Sequence, residues 1–587
     1  MLVFGDATQR ETVACKLDRL RTMLAQAQGS PPGIGRHACL VAALIEAGEL
    51  AQGIADARFH ANGEHDAPAQ EVDAAMAIAL MLARLCAHSW HSGLRGALPS
   101  RMPSIEGWAA HLPAMDIEVR QPEGYAFYAL YPECYLAAAC RLGAGPWRVI
   151  GLRSIGTSLA AIAAAALGDP RPVTLRPVGH PFGRRVAWRA APRTEPSLHH
   201  AIVDEGPGLS GSSMAAVIRL LREEEGVAPQ RIHLLTAHAR GPGAEASPQV
   251  RALWAQATSH AADFDAVILN AAEPAHRLQT WVEACVGSLR APLRAIDGGG
   301  WRQAHRMAMA SWPPVHPWQE RRKFLAEAES GTWLVKFAGL GHRAEERIAC
   351  AEALARAGFC PEVAGACHGF LIERWHGGMR PLSQERLHEP ALRTRLLARV
   401  ADYLAFRART LAMPQSGGAS LRALCDMGRH NTVEALGAGS DAPWERHLAA
   451  AARLQASVRP VRTDSRLQPW EWLDDGVRLL KTDAIDHHAG HDLVGCQDVA
   501  WDVAGARIEF ALGDDELGEL LQALAARGCQ VDAALLDVYS VAYPAFQLGH
   551  ASLASRDTAD AADRERLERR LRQLTGALQA RLPQPPR

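Results

Sequence analysis

Two stretches of the chain carry residues whose types and spacing could do chemistry on a phosphorylated sugar. The first runs from His200 through Ala201-Ile202-Val203 into Asp204-Glu205, then Gly206-Pro207-Gly208-Leu209-Ser210-Gly211-Ser212-Ser213, before helix formers begin at Met214. That order reads as a strand, an acidic tip, a small-residue loop and a helix. Such a loop turns backbone N–H groups and hydroxyls toward one point at a helix N-terminus, where an anion is favoured. The two carboxylates repel a phosphate and suit a neighbouring sugar diol or a hydrated divalent cation. The inferred ligand is a sugar phosphate. The second stretch, Gly151-Leu152-Arg153-Ser154-Ile155-Gly156-Thr157, repeats the pattern of a short apolar strand feeding a small-residue loop and a helix.

A third constellation lies in the C-terminal half. Lys336 sits on the apolar strand Thr332–Phe337, with Glu345, Glu346 and Glu352 on the helix expected next. A strand lysine paired with a helix glutamate is the arrangement kinases use to hold the phosphates of ATP. Asp486-His487-His488 with His491 and Asp492 fits no standard metal spacing and reads as a polar loop. His199-His200 reads as the start of a strand, and Trp301, Trp312 and Trp318 as packing between domains.

These groups need elements to position them. Apolar residues at helical spacing, such as Val13, Leu17, Leu20 and Leu24, predict helices from about Glu11 to Ser92. A stretch rich in Gly, Pro and Ser over 93–113 marks a boundary. From Ile117 onward strands alternate with helices: 117–119, 125–128, 148–152, 173–178 and 231–236 as strands, with 132–142 and 159–167 as helices. That alternation argues for a mostly parallel sheet covered on both faces, with ligands at the carboxyl ends of its strands. Gly298-Gly299-Gly300 and Pro313, Pro314 and Pro317 suggest a linker. Beyond it come hairpins at 321–337 and 470–480, a strand at 369–375, and long helices.

At 587 residues the chain should hold two to four domains. A net charge of -1 gives no general pull toward nucleic acid or a membrane surface. Twelve scattered cysteines without a CxxC pair or a closely spaced Cys/His quartet argue against a disulfide framework and against a structural zinc site, and they point to a reducing cytoplasm. The N-terminus lacks a signal-peptide pattern, and the apolar runs at 75–85 and 159–167 are short for a membrane span.

Val203-Asp204-Glu205 followed by Ser210-Gly211-Ser212-Ser213 resembles the signature of type I phosphoribosyltransferases, and 151–157 resembles that family's pyrophosphate loop. The resemblance covers roughly 115–275. It implies that Asp204 and Glu205 hold the ribose hydroxyls and that Gly206, Gly208, Ser210, Gly211, Ser212 and Ser213 cradle the 5′-phosphate. It further implies that Arg153, Ser154, Ile155, Gly156 and Thr157 bind pyrophosphate with Mg²⁺, with Arg184 and Arg185 on a loop that closes over the charge. The loop at 206–209 is one residue longer than usual, and Ser210 replaces a habitual threonine.

From about 319 to 570 the chain resembles small-molecule kinases of the aminoglycoside phosphotransferase type. The matching segments are the Lys336 strand, Phe370–Trp375 running into Gly377, and Asp498-Val499-Ala500-Trp501-Asp502-Val503-Ala504. This resemblance implies Lys336 and Glu346 at the nucleotide, Asp464 as the catalytic-loop aspartate and Asp483 as the metal ligand. Only Ser330-Gly331 precedes Lys336 where a Gly-rich loop is expected, no His-Gly precedes Asp464, and Gln468, Pro469 and Glu471 stand where an asparagine would help bind metal.

The expected protein is therefore multidomain, α/β plus α+β. A helical N-terminal region (1–95) precedes a doubly wound phosphoribosyltransferase-like domain (96–300), a linker (301–318) and a bilobal kinase-like domain (319–587). The expected function is a two-activity transferase of nucleotide or nucleoside-like metabolism. It would use phosphoribosyl pyrophosphate, Mg²⁺ and ATP on small molecules, without nucleic-acid or membrane partners, and is compatible with a homo-oligomer. A regulatory or sensor protein with a degenerate kinase domain is the alternative.

Overall fold

The computed structural model of the chain describes residues 8–99, 103–188, 197–208, 210–243, 245–261, 263–316, 320–413, 418–489 and 494–582. His491, Asp492, Trp318 and Leu209 lie outside the described residues.

Three long helices, Val13–Gly29, Ile34–Ala61 and Gln70–His91, pack on one another and against the helix Gly156–Leu167. Ile34–Ala61 is apolar almost all round because it is enclosed almost all round. It and Gln70–His91 are long and apolar enough to cross a membrane, but 89% and 72% of their most apolar windows are buried inside the fold. A two-stranded ribbon, β1 (Thr8–Thr12) with β2 (Asp116–Arg120), pairs antiparallel beside these helices.

The expected parallel sheet is present. Its strands are β3 (Trp147–Leu152), β4 (Val173–Leu175), β5 (His199–Val203), β6 (Ile232–Thr236) and β7 (Thr258–Ala261), in the order β4-β3-β5-β6-β7. All four pairings are parallel. Successive strand residues divide between two cores, as a sheet wound on both faces requires. Val149, Ala201, Val203 and Leu235 join the core shared with the N-terminal helices. Ile150, Ile202 and Leu234 join one made with Met214, Val217 and Ile218 of the helix Ser212–Arg219.

The segment 125–128, expected as a strand, lies in the short helix Glu123–Phe127 and the turn after it. Pro122 at its N-cap supplies the fixed φ that starts a helix, and no strand neighbours it.

A second sheet is antiparallel throughout: β8 (Arg294–Ala295), β9 (Lys323–Ala328), β10 (Gly331–Phe337), β11 (Val363–Cys367) and β12 (Phe370–Arg374), in the order β11-β12-β10-β9-β8. This sheet starts before the linker expected at 301–318. The segment 296–322 is therefore the connection between its first two strands, and Lys336 lies on its third. Phe324, Trp333, Val335, Phe337 and Phe370 share a core with the N-terminal helices and the parallel sheet, so one continuous apolar interior runs from Val13 to Ile372. Below lies a helical unit with its own core around Tyr403, Trp444, Trp472, Trp501 and Phe546, and a small sheet of β13 (Arg380–Pro381), β14 (Trp472–Asp474) and β15 (Leu479–Lys481).

Candidate functional sites

Strands β3 and β5 are neighbours in register, Gly151 beside Val203, so the loops that leave them emerge side by side at the carboxyl edge of the sheet. Two glycines permit this closeness. A Cβ on Gly156 would come 2.6 Å from the Val203 carbonyl, and one on Gly151 would come 2.1 Å from the Gly156 carbonyl. Asp204 and Glu205 follow directly. The Tyr135 hydroxyl donates to the Asp204 carbonyl at 2.8 Å, and the Asp204 carboxylate accepts the Glu205 N–H at 2.9 Å. Burial pushes the Asp204 carboxyl up to about 7, only partly offset by that hydrogen bond and by Arg176. The Glu205 carboxylate lies against Gly124, where a Cβ would meet its Oε2 at 3.0 Å.

The loop beyond is tightly held. Gly208 and Gly211 take positive φ, and the Trp254 indole donates to the Gly211 carbonyl at 3.1 Å. The hydroxyls of Ser210 and Ser212 converge on one acceptor, the carbonyl of Pro181, at 2.8 and 2.6 Å. Pro181 belongs to the turn closed by the Val178–Arg185 bridge, so this turn folds down on the small-residue loop. Gly206 lies beside the His238 ring, and Ser213 opens onto a cavity of about 810 Å³. That cavity lies under the N-terminal helices and is walled by Arg10, Arg120, Arg153, Arg176, Arg184 and Arg185 together with the carboxylates Asp56, Glu64, Asp116 and Glu118.

Arg153 takes a direction the sequence did not predict. Its guanidinium turns to the helical region, ion-paired with Asp66 and 3.3 Å from Asp56. Arg176 bonds the same Asp56 at 2.7 Å and the Arg153 carbonyl at 2.9 Å. Ser154 is half-buried beside it, Ile155 and Gly156 are buried, and the fully buried Thr157 hydroxyl has no hydrogen-bond partner.

The second site is a cleft of about 210 Å³ between the antiparallel sheet and the helical unit. Lys336 reaches across it to pair with Asp483 and lies 3.8 Å from Asp486, which Arg321 holds at 3.0 Å. Against the cost of burial, the Lys336 ammonium holds Asp483 far below the usual carboxylate range, and Asp483 in turn raises Lys336. Glu471, Asp483 and His487 bring one ligand atom each within 4.8 Å of one another. Burial pushes Glu471 up to about 7 although Lys481 bonds it at 2.7 Å, and it pushes Glu373 at the cleft wall up to about 7 despite Lys336.

Two expected residues do not join this site. Glu346 pairs with Arg462 at 3.0 Å near the surface, not with Lys336. Its helix turns the neighbouring Arg347 inward instead, where that guanidinium donates to the Ala126 and Ala338 carbonyls at 2.8 Å each. Asp464 is fully buried and does not line the cleft. Tyr403, Lys481 at 3.3 Å and Arg407 at 3.5 Å surround it.

The reason is register. The Asp502 carboxylate accepts the backbone N–H groups of both Asp464 and Ser465 at 2.8 Å, which fixes the loop with Arg466 facing the cleft. Kinase catalytic loops space their aspartate five residues before the metal-binding asparagine. Counting back from Glu471 lands on Arg466, not Asp464.

Gly298-Gly299-Gly300, expected in a linker, lies within a connection of the antiparallel sheet. It follows β8, in the connection between the first and second strands of the antiparallel sheet, with Lys336 on the third. The Gly299 N–H and the Trp301 indole donate to Glu320 at 2.8 and 2.6 Å. Arg302 anchors the connection to the C-terminal helix Ala561–Gln579 through Asp563, at 2.7 and 3.1 Å.

One short helix touches both sites. Gly124 packs on Glu205 and Ile155, the Tyr125 hydroxyl bonds Ser158 at 2.8 Å, and the Tyr125 carbonyl accepts the Leu340 N–H at 2.9 Å. Phe127 and Tyr128 line the cleft, with the Arg321 guanidinium 4.2 Å from the Phe127 ring.

No protein-family model and no curated protein matches the chain. Among solved structures it is similar to choline kinase LicA from Streptococcus pneumoniae, at 14% identity and a TM-score of 0.31, over 43% of this chain and 89% of that one. A choline/ethanolamine kinase family protein from Mesorhizobium loti gives 19% identity and a TM-score of 0.32, over 50% and 94% of the two chains. Aminoglycoside phosphotransferase APH(4)-Ia gives 12% identity and a TM-score of 0.29, over 50% and 98%. At TM-scores near 0.3 the chemistry is read from this chain's own side chains.

Proposed function

We propose that the cleft around Lys336 is the nucleotide site of a small-molecule phosphotransferase, and that the loops on the parallel sheet form a separate site for phosphoribosyl pyrophosphate. The Lys336–Asp483 pair carries the first reading: a lysine faces a cluster of metal-ligand type across a cleft. Glu471 and Asp483 offer the hard oxygen donors that Mg²⁺ takes, leaving its other positions for phosphate oxygens and water. A divalent ion there would neutralise charge on the transferred group. Lys336 would exchange Asp483 for the nucleotide phosphates, and Arg466 would face the developing negative charge. Because phosphoryl transfer depends mostly on positioning and electrostatics, an arginine at this place can assist it without taking a proton.

The same arginine favours a second reading. With no carboxylate at the usual base position, the cleft would bind nucleotide as a sensor and transfer nothing. Measured ATP binding with turnover over a panel of small hydroxylated and aminated acceptors selects the first reading, and binding without turnover selects the second. Absence of binding, or turnover that survives both Lys336→Met and Asp483→Asn, rejects the nucleotide assignment.

For the sheet site, the support is the adjacency of two small-residue loops with a carboxylate pair between them. Asp204 and Glu205 would hold the ribose hydroxyls, the 206–213 loop the 5′-phosphate, and 153–157 the pyrophosphate with Mg²⁺. Displacement at the anomeric carbon asks the protein to orient the acceptor and neutralise the departing pyrophosphate. Ser210 and Ser212 already converge on the Pro181 carbonyl, so a phosphate there would displace the 178–185 turn. Titration with phosphoribosyl pyrophosphate and Mg²⁺ tests this. No heat in the wild type, or unchanged heat in the Asp204→Asn/Glu205→Gln double variant, rejects it.

A further inference from the structure

Away from both sites, three side chains from three parts of the chain meet in the interior. His37 comes from the helix Ile34–Ala61, Glu133 from the helix Pro132–Leu142 beside the parallel sheet, and His368 from the turn between β11 and β12. Their side chains are 0%, 2% and 1% exposed, so no solvent dipole stabilises the carboxylate. Both imidazole Nε2 atoms approach the same oxygen, Glu133 Oε1, His37 at 2.9 Å and His368 at 2.5 Å. The other oxygen, Oε2, is buried and has no hydrogen-bond partner. A hydrogen-bonded triad leaves that oxygen unexplained, because buried polar atoms are nearly always satisfied.

We propose that His37, Glu133 and His368 form a structural zinc site that ties the helical region, the parallel-sheet unit and the antiparallel sheet together. Two imidazoles with a carboxylate are a zinc-type donor set, whereas Mg²⁺ and Ca²⁺ want oxygen alone. A bidentate Glu133 would use Oε2 and complete four donor atoms. The His37 and His368 ring centroids are 5.5 Å apart at 67°. Two imidazoles on a tetrahedral ion with Zn–N near 2.0–2.1 Å place their centroids about 5.2 Å apart. The three ligand atoms already lie within 4.8 Å of one another, and a four-coordinate ion asks for about 3.3 Å between donors on different residues, so shifts of about 1 Å suffice.

The outer partners are also present. Ser89 bonds His37 Nδ1 at 3.0 Å, which leaves Nε2 for the ion, as the second nitrogen of a metal-bound histidine usually requires. The Tyr131 hydroxyl donates to the His368 carbonyl at 2.6 Å and holds that residue at a positive φ of 37°.

The test is metal analysis of the full chain, purified without a metal-affinity step. About one zinc per chain is expected, lost in both Glu133→Gln and His368→Gln and retained in His487→Gln, which disrupts the cleft cluster only. Should the two variants fail to fold, the wild type still decides. A strong chelator should lower its melting temperature and zinc should restore it, and cobalt(II) uptake should give the intense visible absorption of four-coordinate nitrogen and oxygen ligation. A wild-type chain that carries no transition metal, takes up no cobalt and melts identically with and without chelator overturns the proposal. So does zinc that persists in folded Glu133→Gln and His368→Gln.

Discussion

The two candidate phosphate sites are built in opposite ways. On the parallel sheet, the groups that matter come from two short stretches, 151–157 and 204–213, placed side by side by strand register. In the cleft they come from Phe127, Lys336, Arg466, Glu471 and Asp483, and only folding brings them together. A site held in contiguous loops keeps its sequence signature. A site gathered from distant elements leaves no contiguous signature of that kind.

The largest effect expected from breaking this contrast is at Lys336. Lys336→Met leaves Asp483 and Asp486 without their shared cation, and removing one partner of a buried charge pair costs about 3–5 kcal/mol. Melting should fall accordingly and nucleotide binding should vanish, while phosphoribosyl pyrophosphate binding by the remaining folded protein is unchanged. Next comes the sheet site. Asp204→Asn/Glu205→Gln should weaken its ligand by more than about 100-fold in titration, since each of the two lost charge-assisted contacts is worth about 1.5–3 kcal/mol, and leave nucleotide affinity intact.

What could be read from the sequence follows the same division. The order strand, carboxylates, small-residue loop, helix was legible around Asp204 because every part of it is local. So were the doubly wound sheet and the Lys336 strand, because hydrophobic runs and turn residues announce them. The Arg153 side chain was not, since Asp56 and Asp66, which turn it away, lie about a hundred residues upstream. Glu346 was misjudged because a helix places adjacent residues on different faces, and Arg347 is the one turned inward. The place of Gly298–Gly300 inside the antiparallel sheet was hidden because β8 is two residues long and gives no periodicity to read.

A pH series sharpens the comparison at smaller scale. Burial raises the Asp204 carboxyl to about 7, so it is protonated below that pH and ionised above it. Binding of Mg²⁺ and phosphoribosyl pyrophosphate should strengthen as pH rises through about 7, with proton release approaching one below that pH and falling to none above it, and Asp204→Asn should flatten the profile. The linked stability term has the opposite sign. A carboxyl raised on folding contributes stability that is full below its unfolded value near 3.8 and is lost as pH rises through about 7.

Phe127→Ala tests the shared helix. It removes the ring under Arg321 and should weaken nucleotide about 5- to 30-fold, since a desolvated cation–π contact is worth about 1–2 kcal/mol. The smallest effect belongs to Glu346→Gln, whose half-exposed pair with Arg462 is worth under about 1 kcal/mol; nucleotide affinity should not change measurably.

The measurement that bears most directly on the central claim, two separable phosphate sites in one chain, is paired calorimetry. Mg²⁺ with ATP, and Mg²⁺ with phosphoribosyl pyrophosphate, are each titrated into the wild type, Lys336→Met and the Asp204→Asn/Glu205→Gln variant. Each ligand should bind the wild type, and each variant should lose only its own ligand. If the wild type binds neither, or if one variant abolishes both while still folded, the two-site account is wrong.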